Sequence, residues 1–254
     1  MMKNMPMNKL LGIRRFLTFL SFLLFPLTLN YFSPYVSVAG AMEGIVSGSL
    51  LAFLLLFLSG ILLGRSWCSW GCPWAAPSEY LMKIQAKPVN RRLAARIRYG
   101  IFGVWSASLL LGFFLAGGIR GVDPLYLTEG GISVDVPMKF LTYYMVLFLL
   151  TAVTLLVGRR GACQTICWMS PFLVAGMLAG EALRLPRLGI RSQPQHCISC
   201  RACDKACPMS IPVREELRDG RIASHDCILC GACISACPKG VLSYGLLTIH
   251  IDKR

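Results

Sequence analysis

The stretch Cys197-Ile198-Ser199-Cys200-Arg201-Ala202-Cys203-Asp204-Lys205-Ala206-Cys207-Pro208 is matched thirty residues later by Cys227-Ile228-Leu229-Cys230-Gly231-Ala232-Cys233-Ile234-Ser235-Ala236-Cys237-Pro238. Both runs have the spacing Cys-x2-Cys-x2-Cys-x3-Cys-Pro. A cubane iron–sulfur cluster takes four thiolates at the corners of a tetrahedron, and two-residue gaps let a tight loop wrap three of them around one face. The proline closing each run fixes φ and has no N–H, so the chain turns away after its last ligand. Zinc sites show two-plus-two cysteine pairs across a long spacer, a different pattern.

Where two clusters share one segment, the last cysteine of each run ligates the other run's cluster. That rule assigns Cys197, Cys200, Cys203 and Cys237 to cluster one, and Cys227, Cys230, Cys233 and Cys207 to cluster two. From Cys197 to Pro238 the chain resembles the bacterial two-cluster ferredoxin family.

The remainder is of another kind. Of 254 residues, 55% are hydrophobic and only 15% charged, and the mean hydropathy is +0.59. Apolar stretches at residues 16–30, 45–63, 99–119 and 140–157 approach the length at which a helix crosses about 30 Å of hydrocarbon. The expected fold is therefore a membrane α-helical domain of four transmembrane helices, arranged as two pseudo-repeated helix pairs, with a small α+β two-cluster ferredoxin domain behind it. The first stretch contains Pro26, follows Lys3, Lys9, Arg14 and Arg15, and precedes Ala39-Gly40-Ala41. Those features also admit a cleaved signal peptide.

Charge placement sets the expected orientation. Arg65, Lys83, Lys87, Arg91, Arg92, Arg96 and Arg98 crowd the loop between the second and third stretches. Residues 31–44 and 121–138 contain no lysine or arginine. The positive-inside rule then puts both termini and all twelve cysteines on the cytoplasmic side of a prokaryotic inner membrane, where thiols stay reduced. The formal net charge of +14 follows largely from these topological charges and from attraction to lipid surfaces. No nucleic-acid recognition motif accompanies it.

Two further cysteine pairs, Cys68/Cys72 and Cys163/Cys167, are offset by 95 residues. Each follows an apolar stretch ending in Gly-Arg, and each has tryptophan close by. Duplicated halves converge on a shared site. Residues four apart lie on one helical face, so the two pairs together offer four thiolates to a further iron–sulfur cofactor; the alternative is reduced structural thiols or a dithiol that cycles through a disulfide. The neighbouring Arg65, Arg159 and Arg160 are expected to lower their pKa values. The basic run after Cys72 reads as a solvated, lipid-facing face, and residues 172–183, too short to span, as an interfacial segment. The domains expected are 1–183 for the helices, 184–195 for a linker and 196–254 for the ferredoxin unit, whose residues 241–251 read as an added strand.

Four apolar stretches, Cys-x3-Cys motifs after the second and fourth, and a C-terminal two-cluster domain together resemble the NapH-type membrane ferredoxins and the C-terminal part of NosR. The motif at Cys68/Cys72 has the family's following proline, Pro73; Trp168 replaces it after Cys167. The resemblance implies an electron-transfer subunit, not a self-contained enzyme, that exchanges electrons with membrane quinol and hands them to a partner redox protein or reductase. A redox-sensing or metalloenzyme-maturation role would use the same clusters. No Cys-x-x-Cys-His haem-attachment motif occurs. Ionisable residues such as would line a transporter's path are missing from the apolar stretches. Asp123 and Glu129 read first as solvated loop acids, with proton acceptance from a quinol as the alternative; Glu43, Glu79 and Glu181, near the helix ends, read as solvated.

Overall fold

Pro26 and Pro34 decide the path of the N-terminal region in the computed structural model, which describes residues 7–218 and 220–247. Helix α1 (Met7–Leu23) is followed by the single turn α2 (Phe25–Thr28), a 3-10 turn (Leu29–Phe32) and α3 (Pro34–Met42). The axis bends by 61° between Met7–Leu23 and Phe25–Phe32. Proline lacks the N–H for the i−4 bond and its ring crowds that carbonyl, so a straight helix cannot pass Pro26. The carbonyls freed there are taken up by a distant loop: Pro26 O accepts from the Val134 N–H at 3.2 Å, and Leu27 O from the Ser133 hydroxyl at 2.6 Å. The span expected over residues 16–30 is therefore a bent pair. Ala39-Gly40-Ala41, which resembled a cleavage site, lies within α3 with Gly40 and Ala41 buried, Ala41 packed against Gly112.

Among the described residues two helices are long and apolar enough to cross a membrane, α7 (Arg91–Leu115) and α8 (Pro137–Val157). Asn90 caps the first through the Leu93 N–H, and Pro137 pre-sets the first turn of the second. Helix α4 (Gly48–Leu63) has 16 residues, about 24 Å at 1.5 Å per residue, short of the about 30 Å of a hydrocarbon core. Of the four uninterrupted spans expected, two among the described residues have the length and composition of one, and the bent pair makes a third only if counted as one.

After β1 (Ile45–Ser47) and α4 come two short helices, α5 (Trp67–Trp70) and α6 (Ala75–Leu81). Strand β2 (Gly121–Asp123) pairs in parallel with β1, closing the end of the bundle away from the cysteines. Beyond α8 lie α9 (Gly161–Thr165) and α10 (Ser170–Ala182). The segment expected at an interface, residues 172–183, is mostly α10, and it packs along α4. Glycines permit this. A Cβ on Gly176 would stand 2.1 Å from Phe57 O, one on Gly60 2.5 Å from Leu173 O, and one on Gly180 2.8 Å from Ile61 O. Backbones approach this closely only at small residues, and Gly176 and Gly180 lie one turn apart on the same face.

The C-terminal domain is a four-stranded antiparallel sheet of order β4-β5-β3-β6, formed by β3 (Arg187–Ser192), β4 (Leu217–Arg218), β5 (Arg221–Ile222) and β6 (Leu242–Leu247), with short helices α11 (Ala202–Ala206) and α12 (Ala232–Ser235). Residues 184–195, expected to be a linker, thus contain a central strand whose register runs from Arg187↔Leu247 to Ser192↔Leu242. Leu188 and Ile190 point to one face, but two apolar positions are too few to announce a strand by alternation. The tail strand expected over 241–251 is seen as β6; residues 248–254 lie outside the described residues. Ile190, Met209, Ile211, Val213, Ile228 and Leu242 form the core beneath the sheet.

Candidate metal centres

Helices α4 and α8 both end at a glycine in the left-handed half of φ space, Gly64 at +59° and Gly158 at +127°, where any Cβ would be strained. The reversal brings an arginine and then a short helix bearing the first cysteine of each pair: Cys68 on α5 and Cys163 on α9. Cys72 and Cys167 follow within one turn. The four thiols gather at one end of the bundle, with Cys72 within electrostatic reach of Cys163, Cys68 and Cys167. Burial pushes the Cys72 thiol well above its usual range, and the other three sulfurs push it further. Burial likewise takes Cys163 up to about 12, although Arg160 pulls the other way. Desolvation therefore outweighs the arginines, the reverse of the expected lowering.

Arg65 and Arg160, each three residues before the first cysteine of its pair, are almost fully buried, at 1% and 0% exposure. Both have carboxylate partners. Arg65 Nη1 donates to Asp226 Oδ1 at 2.8 Å, and Arg160 Nη2 to Glu79 Oε1 at 3.1 Å, with its Nη1 on Cys68 O at 3.1 Å. Arg14, buried on α1, pairs with the same Glu79. Glu79 is thus held between two arginines and is not the solvated acid expected. Glu181 is paired too, with Arg187 at 2.9 Å and His225 at 3.1 Å. Arg91 and Arg98 also depart from expectation: they turn inward from α7 onto Asp226, at 3.5 and 3.0 Å, while Arg92 and Arg96 stay exposed.

All twelve cysteines are free of disulfides. In the C-terminal domain, one small cavity is bordered by Cys197, Cys200, Cys203 and Cys237, and a second by Cys207, Cys227, Cys230 and Cys233. Each cavity therefore collects three cysteines of one run and the last of the other. Among the described residues no group of three or more His, Cys, Asp and Glu side chains is tight enough to hold a single metal ion; the thiols stand around cavities instead. Burial raises Cys203 and Cys207 to about 11 and Cys227 to about 12, so ligation must displace protons from these thiols. The donor set, four thiols on apolar walls, fits an iron–sulfur cluster. Bound there, such a cluster supplies one-electron storage.

The second cavity is built into the contact with the helices. Ser69 Oγ donates to Ile228 O at 2.6 Å, and Trp70 Nε1 to Leu229 O at 3.3 Å. Cys68 packs against the core that holds Cys207, Cys230 and Cys233.

On its other side the bundle's cysteine set borders a cavity of about 800 Å³, lined by Cys72, Cys163 and Cys167, by Trp74 and Trp168, and by apolar residues of the bent segment and α8. It extends to Glu129, Ser133 and Lys139 near the far end. The indole N–H of Trp74 is buried without a hydrogen-bond partner; that of Trp168 donates to Phe32 O at 2.8 Å. Asp123 accepts from the Leu125 N–H in a turn and does not border the cavity.

The carboxylates Asp226 and Glu79 are what sequence reasoning missed. A signal existed: Arg-x2-Cys-x3-Cys recurs at Arg65 and Arg160 with the same offset of 95 as the cysteines, so each motif carries a charge to be buried with it.

Residues 196–242 match the family described as 4Fe-4S dicluster domain, and residues 46–92, which include Cys68 and Cys72, match the 4Fe-4S binding domain. YccM of Escherichia coli (strain K12), provisionally named as an electron transport protein, is 27% identical over 190 residues, 70% of this chain and 51% of that protein. RdxA of Cereibacter sphaeroides is 27% identical over 198 residues, 65% of this chain and 40% of that protein. The chain thus spans about half the length, or less, of these curated relatives. No solved structure matches. The domain matches and the two relatives support an iron–sulfur electron-transfer protein, without singling out the NapH-type ferredoxins within that class.

Proposed function

We propose that this protein carries electrons between a membrane quinol and a partner redox protein, from a prokaryotic cytoplasmic membrane, with its cysteine-bearing parts and both termini on the cytoplasmic side. The observation that carries the reading is the apolar cavity of about 800 Å³ that reaches Cys72, Cys163 and Cys167. Its volume and lining suit a ring with an isoprenoid tail. The indoles of Trp74 and Trp168 border it and offer flat apolar surfaces to such a ring.

Oxidation of a quinol to a quinone releases two protons and two electrons. Both protons would leave through the cavity, whose lining includes one acid, Glu129, exposed to water at the end away from the cysteines. The cysteine-lined sites would hold two [4Fe-4S] clusters in the C-terminal domain and one further iron–sulfur cofactor at Cys68, Cys72, Cys163 and Cys167, supplying one-electron steps.

Reduction of the iron–sulfur chromophores by quinol in proteoliposomes tests the reading, with dithionite as the soluble control. Val146→Trp, which fills the cavity wall, should slow reduction by quinol at least about tenfold while leaving dithionite reduction unchanged. Reduction by dithionite but by no quinol, or an unaffected Val146→Trp variant, would remove the quinol reading.

A further inference from the structure

The two cysteine sets of the C-terminal domain differ in what surrounds them. The set of Cys207, Cys227, Cys230 and Cys233 is walled in. Ile228 and Leu229 are 2% and 4% exposed, their carbonyls accept from Ser69 and Trp70, and Asp226 is held by three arginines of the helical part. The other set faces outward: Cys200 is exposed, and its neighbour Ile198 is 57% exposed.

The rim of the outward set is cationic. Arg201, Arg214 and Lys239 border the cavity, and Lys205 lies exposed on the adjoining α11. Two acids stand among them. Asp204 is turned to the Arg214 backbone N–H at 2.9 Å, and Glu215 meets Arg201 only loosely at 3.9 Å, both side chains at least 60% exposed. Among the described residues Lys205, Arg214 and Lys239 form no ion pair. Four cations against these two acids, around an exposed apolar residue, make a surface that an acidic face complements and a basic one avoids.

We infer that the face formed by Ile198, Cys200, Arg201, Arg214 and Lys239 is the docking surface for an acidic one-electron carrier, such as a flavodoxin or an acidic ferredoxin. This deepens the proposed function, on which it rests for the passage of electrons, by naming the exit and the chemistry of the partner. One electron leaves the chain per encounter and the carrier gains one. The Cys207 set, walled by the helical part, has no such face and belongs earlier in the sequence.

The test uses the full chain in nanodiscs, with its iron content checked, and two probes, an acidic flavodoxin and a basic c-type cytochrome, in a direct binding measurement. Flavodoxin should bind, with affinity falling about tenfold or more as salt rises from about 50 to about 500 mM, and the cytochrome should not. The double variant Arg214→Glu/Lys239→Glu should weaken flavodoxin about tenfold. Lys205→Glu, outside the cavity lining, should weaken it about threefold and serves if the double variant loses iron. Flavodoxin binding that is absent, insensitive to salt or unchanged in Lys205→Glu, or preference for the cytochrome, would overturn the inference. Binding is read without any quinol, so loss of quinol reduction with docking intact strikes only the function proposed above.

Discussion

Arg65 and Asp226 form an ion pair of 2.8 Å that ties the loop carrying Cys68 to the residue just before Cys227. Asp226 also meets Arg98 at 3.0 Å and Arg91 at 3.5 Å, so one carboxylate fastens two stretches of the helical part to the C-terminal domain. Arg65 and Arg98 are 1% and 3% exposed, and removing their partner strands two buried guanidinium groups. Asp226→Ala should cost about 3–5 kcal/mol in chemical denaturation of the detergent-solubilised protein. Asp226→Asn, which keeps a hydrogen-bond acceptor, should fall between it and wild type. An Ala variant as stable as wild type would show that the clamp contributes nothing.

Glu79 gives a dependence on pH. Burial alone would raise its carboxyl pKa, but the Arg14 hydrogen bond and the charges of Arg160 and Arg14 outweigh it and hold the group below its usual range. Because the folded pKa is depressed, the contribution to stability is present above the unfolded carboxyl value of about 4.3 and is lost as pH falls through the lower folded value. Thermal unfolding of wild type and Glu79→Gln should therefore differ most above about pH 5, and the difference should shrink as pH falls below about 4.3 and through the lower folded value. A difference constant across that window would mean that the charge of Glu79 is irrelevant.

Helix packing yields a steric prediction. A Cβ on Gly176 would lie 2.1 Å from the Phe57 carbonyl, and backbone has no flexible end to move aside, so Gly176→Ala should destabilise by about 1–3 kcal/mol or more. Gly103, on α7, has nothing within 4 Å of its Cβ position. There Gly103→Ala should stabilise by about 0.5–1 kcal/mol through helix propensity. Thermal shifts of the same sign for both variants would contradict the α4–α10 contact.

What the sequence made legible was what local spacing encodes. The two Cys-x2-Cys-x2-Cys-x3-Cys-Pro runs told which cysteines would gather, because ligand loops are short and their geometry is carried by neighbours in the chain. The long apolar stretches of α7 and α8 were plain for the same reason. What stayed hidden depends on distant partners. Strand β3 has two apolar residues to mark it and exists because β6 pairs with it. Helix α10 looked too short for the bundle until its glycines met α4. Arg91 and Arg98 sit in a basic run like any interfacial one, and only Asp226, more than a hundred residues away, turns them inward.

The two C-terminal cavities predict a crossed pattern of loss. Cys237 borders the cavity of Cys197, Cys200 and Cys203, and Cys207 that of Cys227, Cys230 and Cys233. Cys237→Ser should therefore change the same EPR component as Cys197→Ser, and Cys207→Ser the same one as Cys227→Ser. Components that sort by run, with Cys207 grouped with Cys197, would refute the crossing.

The last prediction concerns the cysteines of the bundle. One pair supplies half of a four-thiolate set, and Cys68/Cys72 and Cys163/Cys167 come from repeats ninety-five residues apart that the fold brings to one end. Burial holds the thiols of Cys72, Cys163 and Cys167 above their usual range, so the set does not ionise without a compensating positive charge. Arg65 and Arg160 are paired with Asp226 and Glu79, and a bound iron–sulfur cofactor would supply the further charge. If one cofactor is shared, Cys72→Ser and Cys167→Ser should lose the same EPR component and the same amount of iron, while the signals of the two C-terminal sets persist. Wild type should then hold more than the about eight irons of two cubanes. Wild-type iron of only about eight, with both variants unchanged, would leave these four as structural thiols.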